Sequence, residues 1–421
     1  MSLYDKASLA LIPSGYKAGT TDNLYSVLPA NGNGDFNATR GSSATRVNKD
    51  GFIESVVANT PRLDYPLIDG VVQSCPALLL ESSRTNSFQR SEELDNAYWG
   101  KNAATITADD AISPDGGQTA DKFNDNGVGT SGLVEIFRGV TVSTSTDYTY
   151  SVFAKKGSVN FISLRTFAFT NPTSGNTYFN LENGTIGTTH SGHTAKMQNY
   201  GNGWYRCSIT FTTDATDTSG TLYIRLNEED NEVNVDRDGT KNVYLWGAQL
   251  EEGSYATSYI PTTTATVTRS ADVCNGAGTS AEFNDSEGVL YVEFNPSEIS
   301  TRISLSDGSF DNRITIETPN TTNLNFFIEA NNDNNTFSAN VGGALNTNNK
   351  VAVLWNGTAI KIYRNGSELG TDTFTGFSAG TLDQIHLANA IASARNFYGT
   401  IKQLMVFNEA LTDAELATLT S

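Results

Sequence analysis

Ala359-Ile-Lys-Ile-Tyr-Arg364 runs into Asn365-Gly366 and then Ser367-Glu-Leu369. Asn-Gly between two strand-like flanks is a hairpin signal, because both central residues of the tight turn need positive φ and these two residue types tolerate it. Working outward, Gly288-Val-Leu-Tyr-Val-Glu-Phe294, Arg313-Ile-Thr-Ile-Glu317 and Asn325-Phe-Phe-Ile-Glu329 read as further strands. Downstream, Thr412-Asp-Ala-Glu415 is a capping box, and it predicts one short helix carrying Leu416 and Leu419. Residues 271–421 are therefore expected to form an antiparallel β-sandwich closed by a helix.

The preceding stretch, 86–270, repeats the strand pattern without helices between. Leu133–Val142, Tyr148–Ala154, Phe161–Phe167, Trp204–Phe211, Gly220–Leu226 and Val243–Leu250 all place apolar residues at period two. Strands at this spacing predict a second two-sheet sandwich. Gly253–Thr262 and the threonine-rich run to Thr268 read as an exit strand and linker.

Residues 1–85 are less regular. Pro29–Asp35 and Arg40–Arg46 read as loops, and Asn48-Lys-Asp-Gly51 as a turn before Phe52–Val57. Pro61-Arg-Leu-Asp-Tyr-Pro66 cannot lie in the middle of a sheet, since neither proline can donate to the ladder. The expectation is an anchoring or assembly segment ordered against partner subunits; the alternative is a decorated edge of the next domain. The fold class expected overall is all-β, an irregular first segment followed by two sandwiches and one C-terminal helix.

Composition agrees with that class. Of 421 residues 17% are charged, and glycine occurs 37 times. Acidic residues outnumber basic ones 46 to 27, for a formal net charge of −19. Such a surface repels phosphate backbones and anionic lipid, which disfavours nucleic-acid and membrane partners. No apolar run is long enough for a transmembrane helix. The opening Met1–Lys6 lacks the basic flank and apolar stretch of a secretory signal, so synthesis in a cytoplasm is expected. Cys75, Cys207 and Cys274 are too few and too scattered for a disulfide framework or a zinc site and are expected as buried thiols.

Catalytic constellations are missing from the pattern. His190, His193 and His386 are the only histidines. His190-Ser-Gly-His193 sits in a Gly/Thr/Ser loop with no carboxylate nearby and reads as a solvated turn. Glu228-Glu229-Asp230 and Asp236-Arg-Asp238 come nearest to paired carboxylates, in turn-like contexts. No catalytic residue, cofactor-binding residue or metal ligand is assigned; calcium in an acidic loop is a possibility without EF-hand spacing. Sugar recognition needs flat aromatic faces with hydrogen-bonding neighbours. Tyr98, Trp99, Phe169, Tyr178 and Tyr200 have such neighbours, as does Phe167, and Arg165 and Gln198 could support them. For Trp99 and Tyr178 core packing is an equal reading, whereas Trp204, Trp246 and Trp355 fall in apolar strands and read as core.

Three stretches resemble known families. Gly288–Phe294, Val351–Gly366 and Val406–Leu416 resemble the concanavalin A-like, laminin-G-like sandwich. Asn202-Gly-Trp-Tyr-Arg206 and Leu245–Glu251 leading to Ala256–Pro261 resemble a carbohydrate-binding jelly roll of phage and bacterial surface proteins. Leu9–Gly19, Thr39–Val47, Pro61–Pro66, Cys75–Glu81 and Arg84–Asn86 resemble the amino-terminal region of structural proteins from marine and environmental tailed phages. Together these resemblances imply a non-enzymatic fibre, spike or decoration subunit on a virion surface, assembled in the host cytoplasm. They imply a homotrimer, contact with other virion proteins through residues 1–85, and attachment to host surface polysaccharide. The competing readings are a polysaccharide depolymerase or glycosidase and a purely structural scaffold.

Overall fold

The computed structural model describes residues 3–13, 23–24, 27–331, 333–390 and 395–421. Apolar residues at period two put one side of each strand into a core, and the chain is nearly all β on that basis. In the first sandwich one sheet orders its strands Gly100–Asn102, Glu135–Thr141, Ser219–Asn227, Phe161–Phe167, Gly175–Asn180 and Thr185–Ile186. The other orders Ala104–Ala111, Ala120–Asp125, Asn242–Glu252, Asp147–Lys156, Trp204–Thr212 and Thr194–Gly201. Ile136, Ile162, Leu164, Phe179, Leu222 and Ile224 from the first sheet meet Val152, Cys207, Ile209 and Leu245 from the second. Trp204 and Trp246 are buried with Phe153 and Tyr259 in a smaller cluster, and Trp355 lies in the core of the second sandwich.

The second sandwich contains the expected hairpin. Ala359–Arg364 pairs with Ser367–Thr373 through a turn in which Asn365 has φ 48° and Gly366 φ 83°. The helix Asp413–Thr420 begins at the predicted cap, with Thr412 and Glu415 bonding reciprocally and Leu416 buried. No helix among the described residues is long and apolar enough to cross a membrane.

Much of the regular structure before residue 86 belongs to this second sandwich. Leu9–Leu11 and Ala77–Leu80 both pair with Gly399–Phe407, and Arg62–Asp64 continues that sheet from Ala77–Leu80. Phe36–Thr39 pairs with Val273–Ala277 in the opposite sheet. Leu9, Leu11, Phe36, Leu63, Leu78 and Leu80 share one core with Leu290, Ile316, Val353 and Trp355. Arg62–Asp64 ends its sheet, so the flanking prolines withhold no donor from a neighbouring strand. Arg40–Arg46, read as a loop, in part forms a strand: Ala44–Val47 pairs with Ile53–Val56 across the predicted turn.

A buried ion cluster ties the segments together. Arg62 donates to Glu81 (2.7 Å) and Ser258 (2.9 Å) and pairs with Asp272. Arg40 donates to Asp272 (3.0 Å) and Arg269 to Glu81 (2.7 Å). Burial alone would raise the Glu81 carboxyl pKa, but Arg269 and Arg62 beside it hold it far below the ordinary range. Residues of the first segment, the linker and the start of the second sandwich thus share one network.

Candidate functional site

The outward faces of strands are where alternation places residues that the core does not need. On the first sandwich, Phe137 lies between buried Ile136 and Arg138, and Tyr223 between buried Leu222 and Ile224. Arg165 likewise follows buried Leu164, two residues before Phe167. The ladder registers bring these together. Phe137 pairs with Tyr223, Tyr223 with Arg165, and Arg165 with Asn176, forming one row across four strands. Glu135, Arg225, Ser163 and Tyr178 make the adjacent row on the same face.

The rings are close and only partly covered. Phe137 and Tyr223 lie 5.3 Å apart at 32°, and Phe167 meets Tyr223 edge-on at 6.0 Å. Phe167 is 40% exposed. Gly100 makes room for Phe137, since a Cβ there would stand 2.5 Å from its ring. A Cβ at Gly139 would meet only the Gly220 carbonyl, at 3.9 Å, so the surface on Phe167's row is flat there. The Arg165 guanidinium lies over Phe167 at 4.9 Å and Tyr223 at 5.6 Å.

Polar groups behind the rings are partly satisfied. Arg225 donates to Glu135 (2.7 Å) and to the side-chain oxygen of Asn176 (3.2 Å), and Asn102 donates to Glu135 (3.2 Å). Asn176 donates to the Tyr178 hydroxyl at 3.4 Å. The Ser163 hydroxyl and Arg165 Nε, both buried, have no hydrogen-bond partner. A buried polar atom without a partner is costly in a folded protein, so these two groups favour any contact that supplies one.

The other sequence candidates scatter. Tyr178 shares the face but is 2% exposed, and Trp99 is also 2% exposed. Trp99 packs on Phe88 at 5.0 Å and donates to the Arg90 carbonyl, which leaves no ring face free. Tyr98 lies half-buried beneath Arg138, 3.9 Å from its ring. Phe169 is buried against Phe211, over Gly220, where a Cβ would be 2.2 Å from its ring. Phe137 and Tyr223 were not singled out from sequence. Their signal was parity with core-facing strand neighbours, Ile136 beside Phe137 and Leu222 and Ile224 around Tyr223.

Gln198 and Tyr200 lie elsewhere, in a cleft of about 650 Å³ between the two sandwiches and the first segment. Asp64, Gln73, Cys75, Arg206, Thr257 and Lys402 also line it. Two of its charged groups are already engaged: Arg206 bonds Ser151 and the Thr257 carbonyl, and Asp64 accepts from the Val47 N–H. Burial pushes the Asp64 carboxyl up to about 6. Tyr200 presents its ring edge-on to Phe153 at 4.8 Å. Cys207 and Cys274 are buried as expected, but Cys75 is exposed, because it falls in the irregular turn before Ala77–Leu80.

The histidine pair also differs from expectation. His193 is buried between the hydroxyls of Thr166 and Thr177, each 2.9 Å away, and burial followed by His190 lowers its pKa to about 3. His386 is buried with neither ring nitrogen bonded, while its register neighbour Ser304 bonds the backbone of Ala388 and Ala390. The acidic runs cap loops. Glu228 accepts from the Asp236 N–H, Asp230 from Thr188, and Asp238 from Thr240 and Lys241. Among the described residues no group of three or more His, Cys, Asp or Glu is placed to hold a metal ion.

Comparison with known proteins finds that residues 279–417 match the laminin G-type family described as the concanavalin A-like lectin/glucanases superfamily. No curated protein matches the chain. Among solved structures it is similar to the Ruminococcus gnavus IT-sialidase CBM40 bound to alpha2,3 sialyllactose, at 16% identity over 35% of this chain and 94% of that one, TM-score 0.30. It is also similar to domain 4 of AbnA, a GH43 extracellular arabinanase from Geobacillus stearothermophilus, in complex with arabinotriose (15%; 40% and 84%; 0.29). Mouse laminin alpha1 chain, domains LG4-5, is a third (11%; 65% and 88%; 0.23).

Proposed function

We propose that this protein binds glycans, and that the outer face of the first sandwich carrying Phe137, Tyr223, Arg165 and Phe167 is where it does so. The supporting observation is the row of partly exposed rings and an unbonded guanidinium across one sheet. Apolar faces of sugar rings stack on aromatic rings, and their hydroxyls take hydrogen bonds from an uncommitted donor such as Arg165. The cleft between the sandwiches is larger but is the weaker candidate, because Arg206 and Asp64 already bond within the protein. The match of residues 279–417 to a lectin-containing superfamily agrees with a sugar-binding reading of the whole chain.

A glycan array probed with the full chain, with and without calcium, tests the proposal. Binding to some glycans is expected, weakened about tenfold by Phe167→Ala or Tyr223→Ala, as for the loss of one central aromatic contact. Unchanged binding by both variants, or no binding to any glycan, would contradict it. The finer form of the proposal is that the chain acts as a homotrimeric fibre, spike or decoration subunit on a tailed-phage particle, attaching it to host polysaccharide. Its support is the sequence resemblance of residues 1–85. A trimer mass in light scattering is expected, and a monomer would count against it.

A further inference from the structure

Arg165 differs from every other arginine in the described residues. Arg40, Arg62 and Arg269 share the buried ion cluster, Arg225 bonds Glu135, and Arg302 and Arg313 bond Glu317 and Glu329. Even Arg138 and Arg237, which have no carboxylate, donate to backbone carbonyls. Arg165 has neither a hydrogen bond nor an ion pair, although it is half-buried in a sheet and its Nε is wholly enclosed. The nearby carboxylate on this face, Glu135, is engaged by Arg225 and Asn102. What Arg165 contacts are the rings of Phe167 and Tyr223, which hold its guanidinium on this face without satisfying its N–H groups.

We infer that Arg165 is the anion-recognising group of this glycan-binding face, so that the ligand is an acidic glycan bearing a carboxylate or a sulfate ester. The inference rests on the glycan reading above and narrows it to a class of sugar. A planar fork of N–H donors, already oriented by two rings, matches the two oxygens of such a group in a bidentate contact. Ser163, whose buried hydroxyl lacks a partner, is in the adjacent row of the same face. Burial, and after it Arg225, presses against the charge on Arg165, and the attraction of an arriving anion opposes both effects. The chain as a whole carries −19, so a non-specific attraction for acidic polymers is not expected from its average charge. An unpaired cation set between aromatic rings is thus a local and selective feature.

The test is a glycan array containing neutral, carboxylated and sulfated members, probed with the full chain and with Arg165→Gln and Arg165→Lys at two salt concentrations. Because Arg165 makes no internal hydrogen bond or ion pair, Arg165→Gln is expected to stay folded and to lose only its contacts with the Phe167 and Tyr223 rings, which a melting curve checks. Wild-type binding is expected to concentrate on acidic members and to weaken with salt. Arg165→Gln should lose at least about tenfold on those members, and lose the salt dependence, with Arg165→Lys between. Whether the carboxylated or the sulfated members respond distinguishes the two anions. Equal binding to neutral members, or an Arg165→Gln effect that is the same on neutral and acidic glycans, would overturn the inference and leave glycan binding intact. No binding to any glycan would instead remove the reading on which it rests.

Discussion

Tyr223 and Trp99 show what decides a residue's role at the smallest scale. Both are aromatic and both have polar neighbours in the chain, so local composition treats them alike. Tyr223 lies in a strand with Leu222 and Ile224 on either side, and alternation alone turns its ring outward. Trp99 precedes its strand, has no parity to read, and fills a core position against Phe88. Parity was therefore legible and context by polar neighbours was not. His193 illustrates the same limit, since the Thr166 and Thr177 hydroxyls that enclose it come from two other strands. Its lowered pKa has a testable consequence. An unfolded imidazole takes up a proton near pH 6.5, whereas in the folded chain burial defers this to about 3. The neutral buried form therefore contributes stability above pH 6.5 that is lost progressively as pH falls towards 3. The melting-temperature difference between wild type and His193→Gln should be constant above pH 7 and shift against wild type below 6.5; a pH-independent difference would contradict this.

At the scale of elements, local chemistry was a good guide and long-range pairing was not. The Asn365-Gly366 turn and the Thr412–Glu415 capping box formed where their residues require, because both are decided within a few residues. Arg62–Asp64 is excluded from the middle of a sheet by its flanking prolines, and it is an edge strand paired on one side only. What selects that place is Arg62, whose buried guanidinium meets Glu81 and Asp272, the latter 210 residues away in sequence. No local pattern announces such a contact. Removing one carboxylate from this cluster should be costly, because it leaves buried guanidiniums without their counter-charge. Glu81→Gln is expected to lower stability by about 3–5 kcal/mol in denaturant unfolding. A loss under about 1 kcal/mol would mean that the cluster is hydrated or rearranges freely.

Over the whole molecule, strands from the beginning of the chain complete sheets whose other strands lie near its end. Leu9–Leu11 and Ala77–Leu80 lie along Gly399–Phe407, and their leucines enter the same core as Trp355. The two sandwiches were readable because their strands are consecutive and periodic. The integration of the first segment was not readable, because Leu9–Leu11, Phe36–Thr39 and Ala77–Leu80 are three or four residues long and pair with strands hundreds of positions away. The crystal structure of the protein with its tightest-binding oligosaccharide is the most direct test of the central claim. The account predicts a sugar ring stacked on Phe167 or Tyr223 with an anionic group against Arg165. A sugar seated in the cleft beside Tyr200 and Gln198, with the Phe137–Tyr223–Arg165 row empty, would contradict it.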